Sequence, residues 1–167
     1  YGPKVKEAKS RGLSCGIGGS TQTSSSSFTP NIDKAFDAIE DNDYTLAYKH
    51  AKPLADIGNH NAQTILGWMY FEGIGGLSLD YSQSYYWLKK GADQGHEFAQ
   101  RYLGKIYEEG KGKSKNFNEA LKWYKLSANE GNKDAGKKVK LLEDKLKTNQ
   151  TASSNSSYNA DLCNTAT

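Results

Sequence analysis

Two cysteines, one methionine and three prolines in 167 residues already exclude several architectures. Two thiols cannot brace a disulfide-rich scaffold or fill a four-ligand zinc site unaided. Apolar residues make up only 36% of the chain, against roughly 45–50% in globular proteins, and mean hydropathy is −0.80. No apolar run approaches the ~20 residues that a membrane-crossing helix needs, which excludes a transmembrane span. A large excess of one charge is missing too. The balance of 22 basic and 19 acidic residues, with a pI near 8.7, is too mild to argue for nucleic acid.

With so little to bury, the core must be concentrated in part of the chain. Residues 1–30 open with Lys4, Lys6, Lys9 and Arg11 and continue as a Gly/Ser/Thr run, which reads as an N-terminal arm or linker. Residues 148–167 are dominated by Ser, Thr and Asn and read as a C-terminal tail. Residues 31–147 hold all three Trp and nine of the eleven Tyr, and form the domain. The chain opens on Tyr1 rather than Met, as a mature product or a fragment would.

The domain repeats itself. Units starting at Ala62 and Ala99 align Leu66-Gly67 with Leu103-Gly104, Tyr70 with Tyr107, and Gly73 and Gly75 with Gly110 and Gly112. The match continues through Trp87 with Trp123, Ala92 with Ala128, and Gly95 with Gly131. The period is 37 residues, falling to 36 after the shorter loop that follows Gly112. A half unit precedes the pair at 43–61 and another follows at 135–147.

Each unit predicts two antiparallel helices. Ala62, Leu66 and Tyr70, and then Ser84, Trp87 and Leu88, recur at helical spacing. Gly73 and Gly75 end the first helix and Gly95 the second. Gly67 costs ~1 kcal/mol against Ala inside a helix, and close helix approach is the return expected for it. One unit has a single apolar face and cannot bury it alone, so neighbours must stack. Pro53 is expected to kink or tighten its helix near Lys49.

The run Ala, Leu-Gly, Tyr, Gly-x-Gly, aromatic, Trp, Ala, Gly resembles the Sel-one-like repeat (SLR), a relative of the tetratricopeptide repeat, over residues 43–147. Departures are Asn116 where Asp80 stands in the preceding unit, and Gly91 where alanine is usual. The resemblance implies an all-α fold: a short right-handed α-solenoid of antiparallel helix pairs, with flexible polar tails. Residues 31–42 are more similar to a tetratricopeptide-type first helix and are expected to cap the stack. Full units are expected at 62–98 and 99–134.

Catalytic chemistry is hard to find. His60 and His96 fall in equivalent turns and should approach each other, but neither they nor His50 is joined by Cys or paired carboxylates at metal-ligand spacing. The Gly-x-Gly turns follow no strand and continue into no phosphate loop, and there is no Gly-x-Ser-x-Gly elbow. A non-enzyme with no metal or cofactor is expected. Cys15 and Cys163 lie in the polar ends. Three stacked pairs span about 30 Å, and residues 16–29 can stretch to roughly 45 Å, so a disulfide is within reach. Two free thiols are the alternative.

If the first helices line a concave face, as the resemblance implies, the readout residues are Thr64, Trp68 and Phe71 in one unit. In the next they are Arg101, Tyr102, Lys105 and Glu108, and on the last helix Lys137, Lys138 and Leu141. Charge is polarised along the array: residues 31–98 carry five basic and ten acidic side chains, and residues 99–147 thirteen and seven. The lysines at 111, 113 and 115 read as a solvated basic loop, with no nucleic-acid module beside them.

The resemblance implies a protein-binding module, a monomer by itself, presenting this face to a protein partner. Some relatives are implied to be bacterial immunity proteins that block secreted toxins, including type VI lipase effectors, and others to be envelope adaptors recruiting wall-remodelling enzymes. An enzyme or binder acting on cell-wall fragments is a third expectation. It is the weakest, because the versions implied to do so carry cysteines inside the repeats, absent here. The opening residue, the Ser/Thr-rich arm and the two cysteines lead to a periplasmic or otherwise extracytoplasmic expectation, with the cytoplasm as the alternative.

Overall fold

A computed structural model describes residues 28–164, with side chains through Thr148. Among these residues seven helices follow in order: α1 Ile32–Glu40, α2 Tyr44–Asp56, α3 His60–Glu72, α4 Tyr81–Asp93, α5 Glu97–Glu109, α6 Phe117–Asn129 and α7 Lys133–Asn164. Their starts are set by short polar side chains that accept from free backbone N–H groups, as Asn31, Asp43, Asn59, Asp80 and Asn116 all do. α2 runs on through Pro53 to Asp56.

The repeat turns behave alike in both units. α3 and α5 end on Gly73 and Gly110, whose φ angles of 69° and 76° lie in the left-handed region that favours glycine. Their N–H groups donate to the Met69 and Ile106 carbonyls. The chain then returns so that Asp80 N donates to Tyr70 O at 3.0 Å and Asn116 N to Tyr107 O at 2.9 Å. One residue fewer in the second loop changes the path but not the docking bond.

Close approach explains the glycines inside the helices. A Cβ on Gly67 would stand 2.5 Å from Leu88 Cγ and 2.9 Å from the Leu88 backbone nitrogen. On Gly104 it would stand 2.7 Å from the Tyr124 ring. Each pair of helices therefore packs backbone against side chain, with Leu66, Leu88, Leu103 and Ile106 fully buried around the contacts. Burial of each such side chain is worth roughly 1.5–3 kcal/mol.

Every helix packs on its sequence neighbours. In addition α1 meets α3 and α3 meets α5, while α2, α4 and α6 make no comparable contacts with one another among the described residues. The odd-numbered helices thus form the inner, concave layer. The start of α1 is fastened to α2 by Asn31 N donating to His50 Nδ1 at 3.3 Å, with Phe28 against the same imidazole.

At the end of the chain the structure departs from expectation. α7 begins at Lys133 and does not stop near 147: its helical backbone continues to Asn164 through the segment read as a polar tail. Gly136 is the last glycine and Pro53 the last proline, so no strong helix breaker follows. Residues 1–27 of the arm expected over 1–30 lie outside the described residues, as do Cys15 and the side chain of Cys163, and with them the expected disulfide.

Candidate functional site

The concave layer carries two adjoining depressions. The first, about 360 Å³, lies between α1, α3 and α5 and is mainly apolar. Phe36 and Ile39 come from α1, Thr64, Ile65 and Trp68 from α3, and Phe98, Arg101 and Tyr102 from α5, with Asn61 and His96 at the rim. The second, about 430 Å³, runs from α5 to α7 and is mainly charged. Arg101, Lys105 and Glu109 face Asp134, Lys137, Lys138 and Leu141 across Tyr124. Arg101 lines both, so the two depressions meet at its side chain and are described together as the groove.

Eight of the ten expected readout residues line this groove: Thr64, Trp68, Arg101 and Tyr102 in the apolar part, and Lys105, Lys137, Lys138 and Leu141 with Arg101 in the charged part. Thr64 is buried and its hydroxyl donates to the His60 carbonyl at 2.8 Å, so its one proton is already used. Trp68 serves two purposes. Its ring meets Tyr44 edge-on at 5.7 Å and packs on the core while also lining the groove.

Phe71 and Glu108 do not line it. Phe71 is a correction: it is buried, with the rings of Tyr81 and Tyr102 at 5.3 and 5.4 Å, because the next inner helix covers it. Glu108 lies behind the groove and accepts from Tyr124 Oη at 2.7 Å and from Lys138 Nζ at 3.0 Å. Burial pushes its carboxyl up, but the bonds from Tyr124 and Lys138 outweigh this and hold it below the ordinary carboxylate value.

Arg101 and Lys105 both lie against aromatic rings. The Arg101 guanidinium lies 4.7 Å from the Tyr102 ring centre, and Lys105 Nζ lies 4.6 Å over Phe71. The basic loop is also laid over rings: Lys111 stands 5.0 Å over Phe71, Lys113 4.2 Å over Tyr85 and Lys115 4.9 Å over Phe117. These lysines cover aromatic surface while keeping their charge in water.

His60 and His96 do approach, with ring centres 5.3 Å apart. Burial pushes His96 below the ordinary imidazole value and His60 adds to this, against an opposing pull from Glu97. Among the described residues no three His, Cys, Asp or Glu side chains are grouped to hold a metal ion. No helix there is long and apolar enough to cross a membrane.

Phe36, Ile39, Ile65 and Phe98 also line the groove, although sequence reasoning does not place them there. Phe36 and Ile39 lie on α1, outside the repeat match. Phe98 lies one residue before the unit boundary, opposite a polar Asn61 in the preceding unit. For Ile65 and Phe98 the one signal is a large apolar side chain three residues before a readout position, Trp68 and Arg101, on the same helix face; Phe36 and Ile39 carry no such signal.

Comparison with known proteins then settles the family. The Sel1 repeat family model matches residues 60–96 and 98–132. The chain is a Sel1 repeat protein. It is similar to a solved Sel1 repeat protein from Oxalobacter formigenes, with a TM-score of 0.62, 32% identity and 67% of this chain covered. It is also similar to a protective antigen of uropathogenic Escherichia coli strains displaying an SLR fold, with a TM-score of 0.56, 31% identity and 60% covered. The chain spans 46% of the first of these and 22% of the second. No curated protein matches it. Sel1 repeats suggest a protein–protein interaction module.

Proposed function

We propose that this Sel1 repeat protein captures a segment of a protein partner in the concave groove and acts by occluding it, as an immunity protein acts against a secreted antibacterial toxin. One observation carries the reading. Phe36 and Phe98, 41% and 48% exposed, stand in the same concavity as Trp68, Arg101 and Tyr102. Exposed large apolar groups gathered in one depression mark an interaction site, and Trp, Tyr and Arg are the usual anchors of protein interfaces. No step of this mechanism needs chemistry from the chain itself. A scaffold that recruits a wall-remodelling enzyme would use the same contacts and differ only in leaving its partner active.

Affinity capture from a bacterial lysate with wild type beside the Phe98→Ala, Arg101→Ala double variant tests this. One dominant protein retained by wild type, and weakened by about 2 kcal/mol or more in the variant at an unchanged melting curve, supports the groove. Loss of that protein's hydrolytic activity on binding supports inhibition, and retained activity supports recruitment. Equal capture by both forms refutes the groove. The same reading puts the protein outside the cytoplasm. Intact mass without reductant checks this, a Cys15–Cys163 bridge supporting it and two free thiols opposing it.

A further inference from the structure

We propose that Arg101 and Lys105 form a carboxylate-recognition site, so that the segment seated in the groove is acidic. A large apolar side chain sits between α1, α3 and α5, and an Asp, a Glu or a chain-terminal carboxylate follows over α5 and α7. The inference rests on the groove being the partner site and adds what the partner must carry.

Most cations around the groove are already matched. Lys137 pairs with Asp134 at 3.0 Å, Lys138 with Glu108 at 3.0 Å and Lys111 with Glu109 at 2.8 Å. These pairs engage both carboxylates that line the charged depression, Glu109 and Asp134. Arg101 and Lys105 have no ion pair among the described residues, although Asp134 feels the charge of Arg101 at longer range. They stand one turn apart on α5, about 6 Å along the axis, where the apolar depression passes into the charged one.

Their side chains are held against aromatic rings, with no carboxylate yet engaged. Arg101 rests against Tyr102, and Lys105 against Phe71 with Tyr102 5.8 Å away. Rings that hold a cation in place lower the ordering cost of a later ion pair. Two pre-positioned cations beside an apolar slot are complementary to a carboxylate beside an apolar side chain. A nucleic-acid strand fits less well, because a backbone continuing past α3 would enter the acidic half of the array, net −5 over residues 31–98. The path from α3 to α7 crosses two inner-helix spacings of about 10 Å. An extended segment of roughly six residues covers it at ~3.3 Å per residue.

The test uses the full chain and a displayed library of random dodecapeptides, with enriched peptides then measured by fluorescence anisotropy. The expected peptides carry Asp or Glu within about six residues of Trp, Phe or Leu. Their affinity should fall at least tenfold in an Arg101→Gln, Lys105→Gln double variant of unchanged melting temperature. Changing the peptide's acids to amides should cause the same fall in wild type and no further fall in the variant. Amidating the peptide C-terminus separates a terminal carboxylate from a side-chain one. Neutral or basic peptides that lose affinity on Phe98→Ala, or tighter binding of a decauridylate, would overturn the carboxylate site and leave the groove standing. Absence of enrichment, or binding indifferent to all these changes, overturns both.

Discussion

The two full repeats share a signature, yet their variable positions hold opposite chemistry. In the first, Phe71, Leu88 and Tyr102 make an apolar cluster, with the Phe71 and Tyr102 rings 5.4 Å apart. One repeat later the same three positions are Glu108, Tyr124 and Lys138, joined by hydrogen bonds of 2.7 and 3.0 Å. The groove changes in parallel, with Thr64 and Trp68 replaced by Arg101 and Lys105. Helix–helix geometry is thus set by the small and aromatic signature residues, and the positions beside them are free to be greasy or charged so long as they change together. Coordinated change of this kind is what lets one scaffold present an apolar slot next to a basic one.

The largest effect should come from forcing one unit's chemistry into the other. Phe71→Glu places a carboxylate where the neighbours are Leu88, Tyr81 and Tyr102, none of which carries a cation. Lys111 lies over the native ring but is already paired with Glu109, and Lys105, 4.6 Å over that ring and able to pair with a new carboxylate, is removed by making the change in a Lys105→Gln background. A buried charge without a matched partner costs about 3–5 kcal/mol, so urea unfolding should show a loss of that size. A loss under about 1 kcal/mol would mean that the first unit tolerates the second unit's chemistry and that the comparison is empty.

A smaller effect is expected from unpicking the polar cluster. Tyr124→Phe removes the bond to Glu108 and should cost about 1–2 kcal/mol at neutral pH. Because the Glu108 carboxyl is held below its ordinary value, its contribution is present above the unfolded carboxylate range and is lost as pH falls through the folded value. The stability gap between wild type and Glu108→Gln, followed by denaturant unfolding from pH 7 to pH 3, should therefore shrink toward the acid end. Acid sensitivity from His50 and His96, both lowered chiefly by burial, sets in earlier, as pH drops below the unfolded imidazole value near 6.5. A gap that stays constant across that range would show that Glu108 is not held as an anion by Tyr124 and Lys138.

Much of this architecture is legible from spacing alone, and the exceptions have physical causes. Leu66-Gly67 and Leu103-Gly104 locate two equivalent inner helices, and Gly73 and Gly110 mark where each must turn. Thr64, Trp68 and Phe71 share one helix face, so periodicity treats them alike. Whether Phe71 is open or covered depends on Tyr102, 31 positions away in sequence, and no local pattern reports that. Phe98 escapes for the opposite reason, since its counterpart Asn61 is polar and the repeat carries no apolar mark there. The reach of α7 is hidden because composition argues for lack of burial, while the one local signal in its favour is that no Gly or Pro follows Gly136.

The smallest effect separates signature from decoration at a helix start. The first unit caps its second helix with Asp80, which accepts from Ser82 and Gln83 N–H at 2.8 and 2.9 Å. The second uses Asn116, accepting from Asn118 and Glu119 N–H at 3.0 and 3.1 Å. Asp and Asn are nearly equal as caps, and loss of either to Ala costs about 1 kcal/mol. Exchanging them, Asp80→Asn with Asn116→Asp, should shift stability by less than about 0.5 kcal/mol, while Asn116→Ala should cost about 1 kcal/mol. The exchange is informative because it moves a formal charge from one cap to the other. The carboxylate introduced by Asn116→Asp would sit beside Glu119 in the same first turn, and the helix dipole would have to offset that repulsion. If the exchanged protein melted as low as Asn116→Ala, the Asn116 amide would be required by the acidic first turn of α6, and not an interchangeable cap.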